Sequence, residues 1–86
     1  MNIQQILYFN ILCEEDTFTG AARKCGIRQP SLTCAVKRLE RELGGTLFVR
    51  SNPIQLTALG VALRPYFVQI HEAVERVRRC AVKITA

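Results

Sequence analysis

The chain has 86 residues, 49% of them hydrophobic, and 12 Lys and Arg against 7 Asp and Glu leave a net charge of +5. That length holds one small domain with a limited core, marginally stable unless it associates, and the apolar fraction excludes a disordered tail. No segment nears the roughly 18 consecutive apolar residues of a membrane span, and no basic flank precedes the first apolar stretch as in a secretory signal, so a cytoplasmic protein is expected.

Residues 3–13 read as a first helix. Ile3, Ile6, Phe9 and Cys13 share one face, and Leu7, Ile11 and Leu12 widen it, so the helix is expected to touch both its own core and another element or subunit. Glu14, Glu15 and Asp16 end it, and Thr17 is a candidate N-cap for a second helix from Phe18 to Cys25. Gly26 tolerates the positive φ of a sharp turn. Ala22 is small enough for a close helix crossing, and Cys25, Ile27 and Leu32 complete an apolar seam around the turn.

A third helix begins near Gln29 and Pro30, proline being favoured in a first helical turn. Leu32, Val36, Leu39 and Leu43 recur at 4-3-4 spacing as its buried stripe. The opposite side carries Pro30, Thr33, Cys34, Lys37 and Arg41, with Arg38 beside them and no acid. Gly44 and Gly45 stop the helix. Two short helices joined in this way have the spacing of a helix-turn-helix, whose second helix enters the major groove of DNA.

TLFVR and IQLT follow, two short β-prone runs separated by Ser51, Asn52 and Pro53, which reads as a hairpin. A hairpin in this place is a wing, with Arg50 near its tip and Leu47 and Phe48 anchoring it. From Thr57 onward the pattern is helical again. Leu63, Phe67, Ile70, Val74, Val77, Ala81 and Ile84 alternate at spacings of four and three, a heptad-like seam about 30 Å long. A domain this small cannot cover such a helix, so the seam from Leu63 to Ala81 is expected to be a dimer interface, an intramolecular core being the alternative. Pro65 removes one backbone hydrogen bond and should bend this helix near its start.

Charge follows the same division. Residues 1–22 carry three acids and no base, whereas residues 23–50 carry seven bases (Arg23, Lys24, Arg28, Lys37, Arg38, Arg41, Arg50) against Glu40 and Glu42. Positive charge thus sits on the helix-turn-helix, as a polyanion partner requires. Among Cys13, Cys25, Cys34 and Cys80 there is no C-x-x-C pair, and His71 is the single histidine, so no metal or other cofactor is expected. Cys13 and Cys25 read as small buried hydrophobes. Cys34 reads as a neutral groove-facing residue or a redox switch, and His71 as a solvent-facing residue or a pH sensor. Glu40 and Glu42 read as surface partners of nearby bases. With no paired nucleophile and base and no phosphate-cradling glycine loop, an enzyme is not expected. RNA binding is disfavoured by the lack of an aromatic stacking surface. The remaining alternative to a DNA reader is a helical dimerisation module whose basic face is incidental.

TFTGAA (Thr17–Ala22), GIRQPSLT (Gly26–Thr33), RLERELG (Arg38–Gly44), LFVR (Leu47–Arg50) and LTALG (Leu56–Gly60), in that order, resemble the amino-terminal DNA-binding region of the LysR-type transcriptional regulators. The resemblance implies a mainly α fold, with a winged helix-turn-helix over residues 1–57 and a linker helix over 58–86 that pairs with its twin in a homodimer. It implies double-stranded DNA as partner, with contacts by Gln29, Pro30 and Thr33 and by Arg50 in the wing. The residue pattern adds Cys34, Lys37 and Arg38, and Arg28 and Ser31 complete the candidate set. Gln29 can pair bidentately with adenine and the Thr33 methyl suits a thymine methyl, while Lys37, Arg38 and Arg50 suit phosphates. Backbone N–H groups opening the third helix could hold another phosphate. The family pattern more often has serine in the place of Thr33, a basic or polar residue for Cys34, a small one for Arg28, and a second arginine in a slightly longer wing. Members normally continue into a two-lobed domain that binds a small-molecule inducer. The chain is therefore expected to be a fragment cut after the linker helix, of a protein that is a dimer or a tetramer when whole.

Overall fold

The computed structural model describes residues 1–86, in the order α1 (Ile3–Glu15), α2 (Phe18–Cys25), α3 (Gln29–Leu43), β1 (Phe48–Val49), β2 (Gln55–Leu56) and α4 (Ala58–Thr85). Each short helix is bounded by local chemistry. Asn2 and Gln5 form a reciprocal capping box that opens α1. α1 runs two residues past the expected Cys13, because Asp16, not the acid run as a whole, ends it in a left-handed conformation with φ 64°. The Thr17 side chain accepts from the Gly20 N–H to start α2. Gly26 closes α2 at φ 69°, where a Cβ would be strained, and its N–H reaches back to the Ala22 and Arg23 carbonyls.

α1, α2 and α3 enclose a core in which Phe9 is the hub. Its ring lies 4.8 Å from that of Phe67, edge to face, and 5.2 Å from that of Phe48. Ile6, Leu12, Phe18, Ala21, Ala22, Leu32, Val36, Leu39 and Leu47 fill the remainder. Ala22 is buried where α2 meets α3, as its size requires, and Leu43 is only half-buried at the end of its stripe.

The wing is a two-stranded antiparallel ribbon pairing Phe48 with Leu56 and Val49 with Gln55. It is tied down at both ends. The Ile54 N–H donates to the Asp16 carbonyl at 2.9 Å, and the Thr57 N–H donates to the Leu47 carbonyl at 3.0 Å. Gly60 sits where α4 crosses this root, and a Cβ there would run into the Leu47 carbonyl oxygen, so the close approach depends on glycine.

α4 continues through Pro65 without interruption. At about 1.5 Å per residue its 28 residues account for most of the 45 Å long axis of the molecule. Its first half packs along α1, where the Asn10 side-chain amide donates to the Phe67 carbonyl at 3.2 Å. Its last ten residues are all exposed. No helix is long and apolar enough to cross a membrane.

Candidate nucleic-acid interface

α3 buries Leu32, Val36 and Leu39 and turns its other side outward. Arg28, Gln29, Pro30, Ser31, Cys34, Lys37, Arg38 and Arg41 are exposed, and Thr33 is half-buried beside them. The structure therefore leaves the candidate residues of α3 on its outward side, where helical period places Pro30, Thr33, Cys34, Lys37 and Arg38 and the family resemblance adds Gln29. None of Arg28, Lys37, Arg38, Arg41 and Arg50 has a carboxylate partner. Lys24 differs. It faces α1, where Glu14 lies 2.8 Å and Glu15 3.7 Å away, and the Glu14 hydrogen bond raises its pKa above the usual lysine value. Every base of α3 and the wing is thus free of an acid, as are Arg23 of α2 and Arg64, Arg76, Arg79 and Lys83 of α4.

Arg50 is placed differently from a simple wing tip. Its guanidinium lies over the Phe18 ring, 4.1 Å from the centroid, which holds the charge close to the start of α2. Between that helix end, Gln29 and the wing runs a cleft of about 610 Å³ bordered by Thr17, Thr19, Ser51 and Asn52. The Thr19 hydroxyl donates to Gln29 Oε1 across 3.1 Å at its edge. Thr19 was not legible as a site residue, because nothing in its own helical period links it to Gln29.

The opening of α3 offers less to an anion than expected. Pro30 has no N–H, and the Ser31 N–H already donates to the Arg28 carbonyl at 3.0 Å, which leaves only that of Gln29 without a backbone acceptor. Arg28 stands at the N-cap and makes no side-chain cap bond.

The two acids of α3 also depart from expectation. Glu40 is 9% exposed and accepts the Leu47 N–H at 2.6 Å, so it fastens the wing root and does not pair with a base. Glu42 pairs with the α-amino group of Met1. The chain bends back after Gly45, and that bend delivers an otherwise unpaired N–H to Glu40.

The apolar seam of α4 divides into two. Phe67, expected at a dimer interface, is 3% exposed and belongs to the chain's own core. Leu63 and Ile70 pack against that core at its edge, and Val74 is half-buried. Val77 and Ala81 are exposed as expected. A second stripe, rotated from the expected one, keeps strict 4-3-4-3-4-3-4 spacing through Leu59, Leu63, Tyr66, Ile70, Ala73, Val77, Cys80 and Ile84. Leu59, Leu63, Ile70 and Ala73 are half-buried, and Tyr66, Val77, Cys80 and Ile84 are exposed. Tyr66 is 61%, Val77 67% and Ile84 79% exposed. His71, expected to face solvent, is half-buried instead, with Nδ1 lacking a partner. Cys13 and Cys25 are half-buried, and burial pushes both thiols above their usual pKa. No three of the His, Cys, Asp and Glu side chains gather where a metal ion could be held.

Residues 3–61 match the family described as bacterial regulatory helix-turn-helix protein, lysR family. The chain is 39% identical over 80 residues to the probable cat1 operon transcriptional activator of Acinetobacter lwoffii, covering 92% of this chain and 25% of that protein. It is 37% identical over 76 residues to the transcriptional regulator IlvR of Caulobacter vibrioides, covering 87% and 26%. It thus spans about a quarter of the length of these relatives. Among solved structures, the BenM DNA-binding domain in complex with catB site 1 DNA superposes with a TM-score of 0.93 at 32% identity, over 100% of this chain and 98% of that one. The CbnR DNA-binding domain in its DNA complex gives 0.87 at 30% identity, over the whole of both chains.

Proposed function

The chain belongs to the LysR family of bacterial regulatory helix-turn-helix proteins, and from that premise we propose that it is the DNA-reading end of a transcriptional regulator that binds duplex DNA sequence-specifically as a homodimer. One observation carries the reading. The outward face of α3 exposes Gln29, Cys34, Lys37, Arg38 and Arg41 with no acid among them and no carboxylate pairing their charges. BenM and CbnR domains of the same fold have been solved on DNA.

α3 lies in the major groove, its stripe of Leu32, Val36 and Leu39 holding it to the core. Gln29 and the Thr33 methyl meet base edges. Arg28, Lys37, Arg38 and Arg50 hold phosphates, which fixes register and supplies most of the affinity without reading sequence. The stripe through Tyr66, Ala73, Val77, Cys80 and Ile84 packs on its twin, and the two-fold axis so formed presents two recognition helices to two half-sites. In the whole protein, a further domain that binds a small-molecule inducer would set how far apart those half-sites are read.

Selection of bound duplexes from a random pool tests this reading. An interrupted palindrome with half-sites spaced by a whole number of helical turns is expected. Recovery of unrelated sequences, bound equally well at every salt concentration, would overturn it.

A further inference from the structure

Phe18 opens α2 and is buried, and its ring stands edge to face with that of Phe48 in β1, 6.2 Å away between centroids. Arg50 follows directly on that strand, and its guanidinium lies over the Phe18 ring at 4.1 Å. The guanidinium N–H groups make no hydrogen bond or ion pair within the protein. We propose that Phe18 is a positioning residue for DNA binding, whose ring carries Arg50 by the face of the guanidinium and leaves the N–H edge to hold one DNA phosphate beside the wing. The proposal rests on the phosphate-holding role of Arg50 given above.

A guanidinium is planar, and its two kinds of contact do not compete. The flat face stacks on an aromatic ring, whereas the five N–H donors lie in the plane and point outward from its rim. A phosphate can therefore bond to the rim while the ring keeps the face. The cleft of about 610 Å³ between the start of α2 and the wing, which Arg50 borders, gives that phosphate room to enter. An arginine free in solvent gives up rotamer freedom when it takes a phosphate. One held on a ring has given up much of it on folding, so the contact costs less when DNA arrives. The ring is itself fixed, because the core and Phe48 pack around it. A lysine in place of Arg50 would keep the charge but has no rim distinct from its face.

Affinity for the selected duplex is read across salt concentrations for the wild type, Phe18→Leu, Phe18→Met, Arg50→Lys, Arg50→Ala and Phe18→Leu with Arg50→Ala, each well below its unfolding midpoint. The Phe18 variants are expected to bind about threefold more weakly with the salt slope kept, and Phe18→Leu to add nothing to Arg50→Ala. Arg50→Lys is expected to weaken binding at least as much, again with the slope kept. Weakening by Phe18→Leu to the same extent in both backgrounds would make Phe18 a core residue only and overturn the proposal. So would an unchanged affinity of the Phe18 variants or of Arg50→Lys, or a tighter one, which would mean that the ring withholds Arg50 from DNA. A second measurement needs no substitution. The Phe18 ring current should shift the Arg50 δ-methylene protons upfield in the free chain and in the complex. Resonances without that shift in either state overturn the proposal, since Arg50 then leaves the ring or never rests on it. If Arg50→Ala changes neither affinity nor slope while the wild type still prefers its duplex, the wing contact is wrong and the DNA reading stands. A wild type with no preferred duplex removes both.

Discussion

Glu40 shows how much a single side chain in this fold does outside the groove. Its carboxylate is the acceptor for the Leu47 N–H at the wing root, and removing it orphans a buried donor. Glu40→Ala should therefore cost about 1–3 kcal/mol of stability, with Glu40→Gln, which keeps a carbonyl acceptor, losing less. Denaturant unfolding of the two variants checks this, and equal stability of Glu40→Ala and wild type would remove the assigned contact. On the proposed reading Lys37 and Arg50 hold phosphates. Replacing either with alanine should weaken selected and scrambled duplexes alike and reduce the salt slope by about one, which a titration across salt concentrations reads directly. The helical period revealed the outward face of α3 residue by residue, since Pro30, Thr33, Cys34, Lys37 and Arg41 needed only a face opposite Leu32, Val36 and Leu39. It could not reveal the contacts of Glu40 with Leu47 or of Thr19 with Gln29, which come from chain segments brought together by turns.

At the scale of elements, caps and turns were legible because each rests on neighbours in sequence. Thr17 caps α2, Gly26 ends it at positive φ, and the Leu47–Leu56 segment makes the ribbon. The register of α4 was not legible, because its apolar surface supports two heptads that share Leu63, Ile70, Val77 and Ile84. Only the packing of α1 decides that Phe67 goes inward and Tyr66 outward. The two stripes therefore predict different failures. Phe67→Ala should lose about 3–5 kcal/mol by emptying the space beside Phe9, seen as a fall in the unfolding midpoint of the isolated chain. Val77→Asp should leave the monomer fold intact and dissociate the pair, seen by sedimentation as a halved mass. If Val77→Asp stays dimeric while Tyr66→Asp also does, the rotated stripe is not the interface.

At the scale of the whole molecule, a three-helix domain sets α3 and the wing on one side, and a 28-residue helix carries an uncovered seam away from it. One side carries the unpaired bases of α3 and the wing and the other an exposed apolar stripe flanked by Arg76, Arg79 and Lys83, which the proposed reading covers with duplex DNA and with a second copy respectively. Cys34 offers a native reporter of the first. It is exposed on the outward face of α3, whereas Cys80 lies on the α4 stripe that the proposed pairing covers, so its rate follows the pairing and not the docking of α3. The alkylation rates of both thiols, read by mass spectrometry with and without saturating selected duplex, test the docking of α3 most directly. Strong protection of Cys34 with no change caused by DNA at Cys80 is the expected result. A Cys34 that reacts equally fast in the complex would show that this face of α3 does not lie in the groove.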